Sequence, residues 1–117
     1  MKRDLIYVDN ILKSILLIEK YLSGVSLDDF RKNSLLVDAV SKRFEEIGEN
    51  AAKISKETKL KNKEINWKGL VDNRHFLVHA YSLTNSQRLY AEAVRELPSL
   101  KKVFRKLKNE LGKGDLI

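Results

Sequence analysis

The chain has 117 residues, a formal net charge of +7 and no cysteine, with a pI near 9.6. That length suits one domain over residues 1–117 and is too short for two of ordinary size, and the lack of cysteine excludes disulfides and thiolate chemistry and agrees with a reducing compartment. Apolar runs such as Ile15–Ile18 are bounded by Lys13, Glu19 and Lys20, far short of the roughly 20 apolar residues of a membrane span, and the amino terminus lacks a signal-peptide pattern, so a cytoplasmic protein without membrane contact is expected.

Charge is unevenly spread. Lys101, Lys102, Arg105, Lys106, Lys108 and Lys113 share their stretch with the single acid Glu110. A locally basic tail favours a polyanion such as RNA, a nucleotide or an acidic protein, although solvated basic helix faces are common.

From Arg3 to Leu22, the residues Leu5, Val8, Ile11, Leu12, Ile15, Ile18 and Leu22 recur at three- and four-residue steps, the spacing of one helix face. Gly24 supplies the stop. Ile6, Tyr7, Leu16, Leu17 and Tyr21 widen the stripe beyond one core contact, so a partner subunit is expected on the second side. Ser26 stands three residues before Asp29, a capping arrangement that predicts a short bracing helix through Phe30. A second long helix is predicted over Leu35–Ile54, with Leu36, Val37, Val40, Phe44, Ile47, Ala51 and Ile54 inward and Arg43, Glu45 and Glu46 mostly in water. Gly48 in its middle costs about 1 kcal/mol relative to alanine; it is either tolerated there or admits a closely packed neighbour.

Lys56 to Asn66 is polar without a clear period and reads as an exposed connection. Asn66 suits the cap of a helix that begins at Trp67 and carries Leu70, Val71, Phe76, Leu77 and Val78. Thr84 to Gln87 has the capping-box pattern for the next helix, which Pro98 ends or kinks. A last helix is predicted from Pro98 to about Leu111, stopped by Gly112. No period-two alternation occurs, so the expected fold class is all-α: an antiparallel bundle of four main helices plus short ones.

The stretch Trp67–Tyr81 holds the only tryptophan and both histidines of the chain. Within it, Arg74, His79 and Tyr81 gather a permanent cation, a proton carrier and a phenol. On a regular helix Arg74 and Tyr81 project within about 20° of each other, but Arg74 and His79 about 140° apart. An irregular helix end near His79 or Ala80, or a second subunit, is therefore expected to bring guanidinium and imidazole together.

His75 and His79 have a metal-binding spacing, yet Phe76 stands where a metalloprotease helix has glutamate, and no further histidine or cysteine supplies a third ligand. Neither a metal nor another cofactor is expected. Taken singly, each residue has a structural explanation: Arg74 paired with an acid such as Glu49, His79 bonded to a carbonyl, Tyr81 packed in the core. Taken together, an imidazole that shuttles protons near neutral pH and a guanidinium that holds phosphate oxygens as charge builds suit phosphodiester cleavage without metal.

Arg74-His75-Phe76-Leu77-Val78-His79-Ala80-Tyr81, preceded by Ile65-Asn66-Trp67 and followed by Glu96-Leu97-Pro98-Ser99-Leu100, resembles the HepT-like branch of the HEPN superfamily. The similarity extends to Arg3-Asp4 and to Ile47-Gly48-Glu49-Asn50-Ala51-Ala52, and so spans nearly the whole chain. His75 occupies a polar position where asparagine is more usual, and Asn66 one where proline usually precedes the tryptophan.

The resemblance implies a HEPN-like homodimer in which two motif copies face a shared cleft. It also implies a toxin of a type VII toxin–antitoxin pair, acting on RNA as a metal-independent endoribonuclease with Arg74 and His79 as catalytic residues. Asn73 and His75 are candidate substrate-binding residues beside them. Tyr81 would accept AMP from the antitoxin, an MNT-type minimal nucleotidyltransferase. A rival reading uses the same residues without catalysis, as a nucleotide- or RNA-binding partner subunit of such a nucleotidyltransferase.

Overall fold

Seven helices and no strand occupy the described residues of the computed structural model, which are 2–77 and 83–115 for the backbone and 3–72 and 86–113 for the side chains. In chain order they are α1 (Lys2–Leu22), α2 (Leu27–Lys32), α3 (Ser34–Lys53), α4 (Lys56–Lys61), α5 (Trp67–Leu77), α6 (Leu83–Arg95) and α7 (Leu97–Asp115). The fold class is all-α, as expected. No helix among the described residues is long and apolar enough to cross a membrane.

Periodicity places α1 and α3 correctly. Val8, Ile11, Ile15 and Ile18 of α1 and Val40 and Ala51 of α3 are fully buried, and burying one such aliphatic side chain is worth about 1.5–3 kcal/mol. Gly48 is buried in α3 as well. Gly24, with φ +72°, turns the chain after α1 through the left-handed region that other residues enter at a cost. Ser26 Oγ then accepts from the Asp29 N–H at 3.1 Å and starts α2. The expected brace forms: Phe30, fully buried, lies 5.6 Å from the Tyr90 ring, and the Tyr90 hydroxyl donates to the Val25 carbonyl at 2.6 Å.

The direction of packing follows from which residues meet. Asn10 donates to Asn50 at 3.1 Å and Ser14 to Glu46 at 3.4 Å, so α3 descends α1 as the numbering rises. Lys101 reaches Glu19 at 2.9 Å and Lys108 reaches Asp9 at 2.7 Å, so α7 is antiparallel to α1 too. In the bundle α3 lies between α1 and α5, and α1 between α3 and α7, while α6 packs on α2 and α7.

Three expectations are corrected. Residues 56–66 are not only an exposed connection, because Lys56–Lys61 forms α4. Its cause is a tertiary contact that periodicity does not reveal. The Asp4 carboxylate, 2% exposed, accepts from the Ser55 N–H at 2.9 Å, the Ser55 hydroxyl at 2.6 Å and the Thr58 hydroxyl at 2.6 Å, while Ser55 Oγ accepts from the Thr58 N–H at 3.2 Å. Burial, the largest single influence on Asp4, raises its pKa, but the hydrogen bonds from Ser55 and Thr58 outweigh it and leave the carboxyl below its ordinary value.

Thr84 lies within α6, which starts one residue earlier at Leu83. Gly112 does not stop the last helix, which continues to Asp115. A glycine ends a helix when the chain leaves through the left-handed region, and Gly24 is the positive-φ glycine among the described residues. Pro98 occupies the first turn of α7, where its missing N–H leaves no helical bond unmade.

Candidate functional site

Five residues were singled out by sequence: Asn73, Arg74, His75, His79 and Tyr81. The first three lie on α5, but their side chains lie outside the described residues, as do His79 and Tyr81 altogether and the irregularity expected near His79 or Ala80. What the structure does define is how α5, the carrier of Arg74, is held.

α5 is fixed from its first turn. Asn66 Oδ1 accepts from the Gly69 N–H at 3.0 Å, satisfying one of the donors that a helix start leaves free. Asn66 is thus the cap, as its side-chain chemistry predicts. Gly69 is matched to it, because a Cβ at that position would sit 2.5 Å from Asn66 Nδ2 and 2.9 Å from Cγ. A larger residue there would push the capping amide aside.

Trp67 locks the same turn to the bundle. Its Nε1–H donates to the Asn62 carbonyl at 3.0 Å, its ring meets the ring of Phe104 edge-on with centroids 5.7 Å apart, and Lys59 Nζ lies 5.9 Å from the ring centroid. Phe104 is fully buried, so α7 provides a rigid wall for the indole. Leu70 and Val71 add apolar contacts on the same core. Trp67 therefore anchors α5 to the bundle.

A polar seam, absent from the sequence expectations, joins α1 and α3. Asn50 donates to the Glu46 carbonyl at 2.8 Å while accepting from Asn10, and Glu46 also takes Arg43 at 3.0 Å. The available signal was Asn10 and Ser14 on the flank of the α1 stripe, since Ser14 is 3% exposed and a buried hydroxyl needs a partner. The seam fixes the register of α3 on α1 and, through α3, the seat of α5.

A cavity of about 420 Å³ opens beside the start of α5, with Phe44, Ile47, Leu70, Leu97 and Leu100 among its walls and Glu64, Glu92 and Glu96 also lining it. Arg88 lines it too, but the three carboxylates outnumber that one cation and make the cavity a poor seat for a nucleic-acid backbone. Basic character lies elsewhere, on α7, where the ties to α1 also set acidity: the Lys108 hydrogen bond, opposed by burial and helped by the charges of Lys108 and Lys13, holds Asp9 below its ordinary value. Among the described residues no group of three or more histidine, cysteine or carboxylate side chains could hold a metal ion.

The family described as Ribonuclease HepT-like matches residues 11–107, a span that includes all five candidate residues and Trp67. Among curated proteins, the chain is 34% identical over 115 residues to a protein of Methanocaldococcus jannaschii named gamma-glutamylcyclotransferase and putative RNase, covering 97% of this chain and 52% of that one. It thus spans about half the length of that relative. It is 28% identical to a putative RNase of Caldanaerobacter subterraneus subsp. tengcongensis, covering 92% of this chain and 96% of the relative. Identity is 31% to a probable ribonuclease HepT of Thermococcus cleftensis, covering 87% of this chain and 93% of the other. No solved structure matches the chain.

Proposed function

Because the chain belongs to the HepT-like ribonuclease family, we propose that it is a metal-independent endoribonuclease whose catalytic residues are Arg74 and His79. The observation that carries this reading is the family match, which encloses the whole stretch from Trp67 to Tyr81. Relatives of similar length are named as RNases, and α5 is anchored in a way that suits a helix presenting reactive groups.

In the proposed reaction an imidazole removes the proton of the ribose 2′-hydroxyl, and the 2′-oxygen attacks the adjacent phosphorus. Negative charge builds on the non-bridging oxygens, where the Arg74 guanidinium holds it through two hydrogen-bonding edges. The bond to the 5′-oxygen breaks, and that oxygen takes a proton from an imidazolium. His79 of one copy and the same residue of a second copy divide these two transfers across a homodimer cleft. Asn73 and His75 orient the phosphate. The products are a 2′,3′-cyclic phosphate and a 5′-hydroxyl.

The same reading makes the chain the toxin of a toxin–antitoxin pair acting in the cytoplasm. Its antitoxin, a minimal nucleotidyltransferase, transfers AMP from ATP to the Tyr81 oxygen, which loses its proton as pyrophosphate leaves. Each AMP places a phosphate anion near Arg74, which occupies the cation and repels the RNA backbone. End-group analysis of RNA digested in the presence of a chelator tests the chemistry: cyclic phosphate ends are expected, and 3′-hydroxyl ends or chelator-sensitive cutting would contradict it. RNA binding without any cleavage would indicate the non-catalytic partner subunit.

A further inference from the structure

The cations of α7 fall into two sets. Lys101 and Lys108 are spent on α1, bonded to Glu19 and Asp9. Lys102, Arg105, Lys106 and Lys113 are exposed and form no ion pair among the described residues. At 3.6 residues per turn, Arg105, Lys106 and Lys113 lie about −60°, +40° and +20° from Lys102 around the helix axis. The four occupy one arc of about 100°, directly opposite Leu100, Phe104 and Leu111, which pack on the core. Exposed Asn109 falls inside the arc, and Glu110, the one acid between Lys101 and Lys113, falls about 40° beyond its edge.

The arc is about 16 Å long from Lys102 to Lys113 at 1.5 Å per residue, which matches about five phosphates of a stacked strand at 3.4 Å each. A row of unpaired cations of this length, without an apolar side chain among them, suits a polyanionic backbone and not an apolar partner or the interior of a lipid layer.

Resting on the RNA-directed function above, we propose that the outer face of α7, formed by Lys102, Arg105, Lys106 and Lys113, is an RNA-backbone docking surface separate from the catalytic residues. It holds the strand by its phosphates without reading sequence. The opposite face of the same helix seats Trp67 through Phe104, so the docking surface and the carrier of Arg74 share one rigid element.

The test is fluorescence anisotropy with a labelled single-stranded RNA, using protein that carries His79→Ala so that no substrate is consumed. In that background the quadruple substitution Lys102→Gln, Arg105→Gln, Lys106→Gln and Lys113→Gln should weaken binding about tenfold or more and flatten the plot of log K against log salt by about 0.7 per cation removed. A charge-matched control, Lys42→Gln, Lys56→Gln, Lys63→Gln and Lys68→Gln, removes exposed lysines outside α7 and should change the slope far less. The exchange of Lys102, Lys106 and Lys113 to Arg with Arg105→Lys should retain binding. Equal losses in the control, an unchanged slope in the α7 variant, or binding of the α7 face to anionic vesicles with none to RNA would each overturn the assignment. Cleavage by the protein with His79 intact is read separately, so a failed catalytic reading does not decide the docking surface, nor the reverse.

Discussion

The indole of Trp67 stands edge-on to the ring of Phe104, with centroids 5.7 Å apart and planes at 87°. That pairing, together with the Nε1–H bond to Asn62, attaches the first turn of α5 to α7, and through it the helix that bears Arg74. Trp67→Ala should cost about 3 kcal/mol of stability through lost burial and a cavity. Trp67→Phe keeps a ring but removes the indole N–H from the Asn62 carbonyl, which retains only the Ile65 N–H at 3.2 Å, and should cost about 1 kcal/mol. Urea unfolding followed by circular dichroism measures both; equal stabilities would show that the indole is not an anchor.

Asp4→Asn should destabilise the protein by about 1–3 kcal/mol at neutral pH, because an amide cannot accept from Ser55 and Thr58 as the carboxylate does. The acidity of Asp4 fixes the pH dependence. Its folded pKa lies below its ordinary value, so its stabilising contribution is complete above the unfolded pKa of about 3.9 and fades as pH falls through the folded one. The stability gap between native protein and Asp4→Asn should therefore be widest at pH 7 and shrink as the pH falls below about 3.9. A gap that widened on acidification would contradict the assignment.

Asn66 and Gly69 should behave as a coupled pair. Gly69→Ala gains about 1 kcal/mol of helix propensity, but its Cβ would displace the Asn66 amide, whose cap is worth about 1 kcal/mol. The net change in the native background is near zero. With Asn66→Ala already in place nothing remains to displace, and Gly69→Ala should stabilise by about 1 kcal/mol. A double-mutant cycle reads the difference, and additive effects would show that the cap and the glycine are independent.

Much of this was legible in the sequence, for identifiable reasons. The stripes of α1 and α3 recur at helical spacing and each buries a full face, so periodicity located both. Asn66 and Ser26 carry cap chemistry in their own side chains. α4 escaped because its polar sequence buries Thr58 alone and owes its start to Asp4, 51 residues before Ser55 in the chain. The partner of Trp67 was equally invisible, since nothing local ties it to Phe104. The basic tail was evident as composition, but which of its cations are consumed by Glu19 and Asp9 is a tertiary fact. The motif residues were found by their types and order, and their geometry rests on residues outside those the structure describes.

Gly112→Ala offers a simple check on the corrected end of α7. The residue is helical and an added Cβ would meet nothing within 4 Å. The substitution should stabilise by about 0.5–1 kcal/mol. A loss of stability would place Gly112 back at a helix stop, with a left-handed backbone that alanine resists.

Arg74 and His79 are the proposed catalytic residues of a metal-independent cleavage of RNA. The most direct test of that proposal is the rate of RNA cleavage by the purified protein in excess chelator, compared with His79→Ala of unchanged helical content. Loss of the proton carrier should lower the rate about 10²–10⁴-fold, and Arg74→Ala about 10²–10³-fold. Cleavage by His79→Ala at the native rate would contradict the account.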